Sequence, residues 1–410
     1  MSVALELAHS AWYEAPGTLA RFLGDAIAAE LRHLRPGGAT PEQFPWPLEL
    51  SMGEDGLGLD SIERLSVATT LSELTQLHKS GLDEVLLNQR CFGDWLDVVA
   101  RGLKQYSAQL VFRTSGSTGR PKTCVHALAD LQREAEYLAE SLVGTRRIIS
   151  AVPAHHIYGF LFTVLLPLHL DGIEVIDVRH VTPSALPRMM ASGDLLVSHP
   201  AHLALVARFA GEIPRGVSAL TSTAPCPPQL AQALTIGGAF DRVLEIYGSS
   251  ETAGVGMREV PAPAFQLMPF WTRDEADASR LVRVEHDGHE KSVALQDRVE
   301  WVTDHSFVVC GRIDDAVQVA GTNVFPARVR EVLLQHPDVA DAAVRLMDPS
   351  EGARLKAFVV PAAGVGIERL CIELDRWAVS RLSAPERPKA FTFGERLPVS
   401  DSGKRCNWSL

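Results

Sequence analysis

Thr114-Ser115-Gly116-Ser117-Thr118-Gly119-Arg120-Pro121-Lys122 follows directly on the apolar run 110–113. A strand that empties into glycines, hydroxyls and a lysine suits an anion. Glycine lets backbone N–H groups turn towards the ligand, the hydroxyls add donors, and Lys122 adds charge. The stretch is not a Walker A loop, because the Gly-Lys-Ser/Thr ending is absent and no helix follows at once. Composition alone fits a surface loop of small polar residues. The full nine-residue order favours a phosphate site.

Downstream of residue 109, short β-rich runs alternate with helical segments. Strands are expected at 110–113, 147–152, 174–178, 195–198 and 243–247, and helices at 129–142, 183–190, 202–209 and 228–234. That alternation predicts an α/β fold with a parallel-type sheet. The runs 298–302 and 306–310 read as a hairpin. From Gly311 the order is strand 316–319, helix 326–335, strands 339–346 and 356–360, then helix 367–380, a small α+β unit. Upstream, Leu19, Phe22, Leu23, Ile27, Leu31 and Leu34 recur at helical spacing, and 60–77 and 92–103 are amphipathic. The expected organisation is a helical N-terminal segment at 1–107, a core at 108–311 and a C-terminal domain at 312–410.

Apolar residues at 46% and charged residues at 22% are ordinary for a globular chain. A net charge of -11 repels phosphate backbones and makes nucleic acid a poor partner. The six cysteines form no Cys-x-x-Cys pair, which predicts reduced thiols in a cytoplasmic protein. The N-terminus has no basic stretch followed by a long apolar core, so no signal peptide is expected. The most apolar run, 160–170, contains Pro167 and His169 and is too short to span a bilayer.

Four further motifs follow the loop in order. Tyr247-Gly248-Ser249-Ser250-Glu251 ends a strand. Asp297 precedes Gly311-Arg312-Ile313-Asp314 by fourteen residues. Gly321-Thr322-Asn323-Val324-Phe325-Pro326 opens a helix. Leu397-Pro398-Val399-Ser400-Asp401-Ser402-Gly403-Lys404 lies near the end of the chain. Each alone reads equally well as a turn or a cap.

Together with the loop, they resemble the adenylate-forming superfamily of acyl- and aryl-CoA synthetases, adenylation domains and luciferases. The likeness covers roughly residues 108–404. It implies an ATP-dependent, AMP-forming acid–thiol ligase with a mobile C-terminal domain. Thr114, Ser115, Gly116, Ser117, Thr118, Gly119 and Lys122 would hold the β- and γ-phosphates. Tyr247 would flank adenine, with Gly248 and Ser249 in the same nucleotide-binding motif, and Ser222-Thr223-Ala224-Pro225 upstream resembles the family's adenine segment, which implies that Ala224 binds nucleotide. Ser250, where the family has Thr, would bond the α-phosphate, and Glu251 would bind Mg²⁺. Asp297 would hold the ribose, although Leu295-Gln296 stands where the family has Thr-Gly. Arg312 would contact nucleotide, Asp314 would be the hinge, and Lys404 would bridge carboxylate and α-phosphate. The segment 321–326 is similar to the loop lining a pantetheine tunnel.

Pro153-Ala154-His155-His156-Ile157-Tyr158-Gly159 resembles a further family motif, which implies that His156 stands where acyl pocket and thiol tunnel meet. Amino-acid-activating relatives carry an Asp here. None lies in 153–160, so an uncharged acid is expected, an aryl acid such as a hydroxybenzoate before a fatty acid. The segment ahead of the loop is shorter than the family norm. Within it, Gly56-Leu57-Gly58-Leu59-Asp60-Ser61 looks like a phosphopantetheine site of acyl carrier proteins, but equally like a helix cap. The acceptor is therefore CoA or a carrier-bound phosphopantetheine thiol, the latter as in aryl-acid ligases of pigment or polyene pathways. A fatty acyl-CoA synthetase and a catalytically silent nucleotide sensor are the alternatives.

Overall fold

The computed structural model describes residues 11–15, 17–35, 45–114, 122–235, 239–277, 279–313, 316–319, 322–348, 351–398 and 408. These fall into two compact units, a larger one running to Gly311 and a smaller one built mainly from Arg312–Leu410.

The larger unit begins with four helices: α1 (Thr18–Leu34), α2 (Ser61–Thr75), α3 (Asp83–Leu87) and α4 (Phe92–Gln105). Helix α1 buries Leu19, Phe22, Leu23, Ile27 and Leu31, the stripe its spacing predicts. Helix α2 starts at the carrier-like stretch. Asp60 is its N-cap, accepting from the N–H groups of Ile62 and Glu63 at 2.8 Å, while Glu63 reaches back to the Asp60 N–H. Ser61 is exposed in the first turn. Strands β1 (Gln109–Thr114) and β2 (Lys122–Ala127) flank the glycine-rich loop and pair with each other. Arg113 of β1 binds Glu73 and Thr70 of α2 and Glu30 of α1, so α1 and α2 are tied to the strand that enters the loop.

The rest of this unit comprises α5 (Leu128–Ser141), β3 (Arg147–Ser150), α6 (Ile157–Phe160), β4 (Glu174–Asp177), β5 (Asp194–Ser198), α7 (Pro200–Phe209), β6 (Ser218–Thr221), α8 (Pro228–Thr235), β7 (Arg242–Ser249), β8 (Ala253–Glu259), β9 (Phe265–Leu267), β10 (Trp271–Arg273), β11 (Arg280–Val284), β12 (Glu290–Ala294), β13 (Asp297–Thr303) and β14 (Ser306–Arg312). One sheet takes nine of these strands in the order β13-β14-β9-β8-β7-β6-β5-β3-β4. Its half from β4 to β7 is parallel, and β7, β8 and β9 are antiparallel. Register places Ile149, Leu196, Ala219 and Val243 side by side, where they pack with Leu203 and Val206 of α7 and Ala231 and Leu234 of α8. Strands β10, β11 and β12 form a separate antiparallel sheet.

The apolar run after Gly159 is core. Phe160 meets Trp12, Phe22 and Phe112 edge-on or tilted at 5.1–5.5 Å between ring centres. Among the described residues no helix is long and apolar enough to cross a membrane.

In the smaller unit, β15 (Val317–Val319) and β16 (Thr322–Val324) form a hairpin, and α9 (Pro326–Leu334) and α10 (Ile367–Arg381) accompany a sheet of β17 (Val339–Leu346), β18 (Leu355–Pro361) and β19 (Ala390–Phe393). Val329, Leu333, Ala342, Val344, Ala357, Val359, Leu370 and Leu374 close its core.

One expectation needs correction. The helix at 183–190 is a 3₁₀ segment, Pro183–Arg188. Pro187 lies inside it, has no N–H to donate and disfavours an α-turn before it. Strands β2 and β6 and the five strands between 253 and 294 form where the sequence predicts none.

Candidate active site

The parallel strand β7 delivers Tyr247 and Gly248 to the carboxyl edge of the sheet, where open α/β sheets bind ligands. The chain then reverses into β8, with Ser249 opposite Ala253. Gly248 is obligatory there, because a Cβ would lie 2.1 Å from the Ala253 carbonyl oxygen. The reversal is locked from within. Thr252 Oγ1 accepts the Ser249 N–H at 2.9 Å, and Ser249 Oγ accepts the N–H groups of Glu251 and Thr252 at 3.2 and 3.3 Å. The Ser249 hydroxyl is therefore engaged inside the turn, and Glu251 stands on it half-buried.

Tyr247 is flanked by Phe265 and Phe307 at 5.7 and 5.3 Å. Its phenol donates to Asp297 Oδ2 at 3.0 Å, which brings together two residues fifty positions apart. Ser222, just past β6, donates to the Ile246 carbonyl at 2.9 Å, and half-buried Ala224 follows two residues later.

Behind the turn lies a buried polar set that sequence reading missed. His126 on β2 bonds the Ser250 carbonyl at 2.7 Å. A carbonyl only accepts, so Nε2 carries the proton. Burial pushes this imidazole down to about 4. Glu134 of α5 accepts the Gly254 N–H at 2.7 Å, Arg283 of β11 donates to the Thr252 carbonyl at 2.8 Å, and Trp271 of β10 donates to the Gly254 carbonyl at 2.8 Å. A cavity of about 30 Å³ is lined by His126, Asp130, Glu251, Arg283, Glu285 and Lys291, among others.

The 153–159 motif is anchored by Asp25, which accepts the Ala154 N–H at 2.7 Å and pairs with Arg179 at 2.7 Å. Burial raises the Asp25 pKa, with Arg179 working against it. Tyr158 donates across the sheet edge to the carbonyls of Ser198 and Leu220. His156 is exposed, its ring centre 4.1 Å from that of His155.

Thr114 ends β1 and Lys122 opens β2 with an exposed side chain. Ser115, Gly116, Ser117, Thr118, Gly119, Asp314 and Lys404 lie outside the described residues. Arg312 ends β14. The structure thus gathers Tyr247, Gly248, Ser249, Ser250, Glu251 and Asp297 at one edge.

The AMP-binding enzyme family profile matches residues 70–275, and that of the AMP-binding enzyme C-terminal domain matches 329–404. A 4-coumarate–CoA ligase of Cereibacter sphaeroides is 38% identical over 370 residues, 89% of this chain and 87% of that protein. A 4-coumarate–CoA ligase of Halorhodospira halophila is 36% identical, covering 93% of this chain and 98% of its own length. Among solved structures, the amide bond synthetase of Marinactinospora thermotolerans shares the fold with a TM-score of 0.59, at 16% identity over 95% of this chain and 93% of its own. A malonyl-CoA ligase product complex gives 0.57 at 21% identity over 70% and 71%. The chain belongs to the AMP-binding enzyme family. It is an AMP-forming acid–thiol ligase.

Proposed function

We propose that this ligase activates an aromatic, uncharged carboxylic acid of the 4-coumarate type and transfers it to CoA. The observation that carries this reading is the 36–38% identity to 4-coumarate–CoA ligases over about nine-tenths of the chain. The absence of an acidic residue in 153–160 supports an acid without an ammonium group.

In the first half-reaction a carboxylate oxygen attacks the α-phosphorus of ATP, and pyrophosphate leaves. In the second, a thiol sulfur attacks the acyl carbon, AMP leaves, and the thiol proton is released. The chain's part is placement and charge. Residues 114–122 cradle the β- and γ-phosphates. Tyr247 and Asp297, hydrogen-bonded to each other, take adenine and ribose. Ser250 faces the α-phosphate, Arg312 contacts nucleotide, and Lys404 steadies the reacting carboxylate. Asp314 is the hinge between the half-reactions, at the start of a domain comprising 312–410. His156 borders acid and thiol.

Glu251 fits Mg²⁺ in kind, as a half-buried carboxylate on a rigid turn. Among the described residues no cluster of three or more His, Cys, Asp or Glu could hold a metal ion. When bound, Mg²⁺ would neutralise phosphate charge.

A second reading keeps the chemistry and changes the partners to a hydroxybenzoate and an acyl carrier protein. It is favoured by 26% identity over 72% of the chain to a p-hydroxybenzoic acid–AMP ligase of Mycobacterium tuberculosis, a match covering 47% of that protein.

Acid-dependent pyrophosphate release over hydroxycinnamates, benzoates and fatty acids tests the acid. Thioester capture on CoA and on holo carrier protein tests the acceptor. 4-Coumarate-type acids with CoA are expected to lead, and a preference for fatty acids overturns the proposal.

A further inference from the structure

The turn carrying Ser250 and Glu251 is gripped from behind by four side chains on four separate elements. The Ser250 carbonyl takes His126 of β2, and the Thr252 carbonyl takes Arg283 of β11. The Gly254 N–H goes to Glu134 of α5, and the Gly254 carbonyl takes Trp271 of β10. All four bonds measure 2.7 or 2.8 Å. None of the four side chains is more than 9% exposed.

Three of the four also touch one another. Arg283 also reaches Glu134 Oε2 at 3.4 Å and lies over the rings of Phe270 and Trp271 at 5.0 and 5.2 Å. Burying a guanidinium and a carboxylate is costly unless their partners hold them. Here the charged groups are directed at backbone groups of one turn, whereas apolar side chains of similar volume would fill the space at lower cost. His126 adds a connection, because β2 begins at Lys122, the last residue of the glycine-rich loop.

We infer that His126, Glu134, Trp271 and Arg283 are positioning residues for adenylation. They fix the turn that presents Ser250 and Glu251, and His126 ties that turn to the strand leaving the phosphate loop. The inference rests on the proposed roles of Ser250 and Glu251. It assigns these four residues no contact with substrate.

The test uses the full chain and three variants: His126→Leu, which removes the donor; His126→Gln, whose amide N–H can replace it; and Trp271→Phe, which keeps a ring and removes the N–H. Three measurements are made on each. The first is the gain in ATP affinity on adding Mg²⁺, by calorimetry. The second is acid-dependent pyrophosphate release. The third is thioester formation from supplied acyl-adenylate and CoA.

Losing one bond that aligns the turn is expected to lower pyrophosphate release by about tenfold in His126→Leu and Trp271→Phe. The Mg²⁺-dependent gain in ATP affinity shrinks with it, thioester formation holds, and His126→Gln recovers most of the loss. Equal loss in both half-reactions, an intact Mg²⁺ gain, or a glutamine variant no better than leucine overturns the inference. If His126→Leu does not fold, Trp271→Phe decides. Failure of the wild type to release pyrophosphate with any acid refutes the proposed function instead, and the affinity measurement still judges the clamp.

Discussion

Glu134 gives a prediction that can be worked from the structure. Its side chain is fully buried on α5, and burial pushes its pKa up to about 7 from the ordinary 4.5. Arg283 and the Gly254 N–H pull it back, and neighbouring Asp130 pushes it further. A carboxyl that keeps its proton longer in the folded chain contributes stability that is fully present below the unfolded pKa. That contribution is lost as pH rises through the folded pKa. The window is therefore pH 4.5 to 7. At about 1.4 kcal/mol for each pH unit, the loss across it is about 3 kcal/mol. Glu134→Gln keeps the volume and the acceptor for Gly254 but has no proton to lose. Chemical unfolding of both proteins between pH 4 and 8, read on the transition that the substitution moves, isolates the term. Asp25 and Glu245, also raised by burial, titrate in both proteins and cancel in the difference. Wild-type stability is expected to fall by about 3 kcal/mol relative to the variant between pH 4.5 and 7 and to level off above. Parallel curves refute the reasoning. A difference of the opposite slope would mean that Arg283 holds the carboxylate ionised well below neutrality.

Tyr247→Phe removes the phenol that donates to Asp297 at 3.0 Å. At about 1.5 kcal/mol for a half-exposed bond to a carboxylate, the KM for ATP rises about tenfold and the KM for the acid is unchanged in steady-state kinetics. Gly159→Ala would place a methyl 1.9 Å from the Pro153 carbonyl oxygen, a backbone atom that cannot swing aside. A loss of about 1–3 kcal/mol is expected in a thermal melt. Trp12→Ala opens the cluster of Trp12, Phe22 and Phe160, and unfolding free energy falls by about 3–5 kcal/mol.

The legible parts of the chain were those whose meaning is local. Strands β1, β3, β4, β5 and β7 stood out because they are short apolar runs alternating with helical segments, whereas β2 and β6 did not. The 247–251 motif stood out because residue order carries its geometry. Strands β8 to β10 did not. Ala253–Glu259 contains two glycines, Phe265–Leu267 and Trp271–Arg273 are three residues each, and their pairing is set by distant neighbours.

The buried clamp was hidden for a different reason. Leu131, Ala135 and Leu138 mark the inward stripe of α5, and Glu134 sits on it. In β11, Leu281 and Arg283 occupy the inward positions. Read singly, each charge is a flaw in an apolar pattern. Only the fold shows that the two flaws face each other and that each also bonds the backbone of the 252–254 segment. Two opposite charges on inward stripes are therefore a signal the sequence does contain, although 149 positions separate them in the chain. A lone inward charge costs several kcal/mol, so an inward charge of opposite sign elsewhere in the chain is its expected partner. What that pair holds is not written in either stripe. Gly254 became its target only when β7 and β8 were brought beside α5.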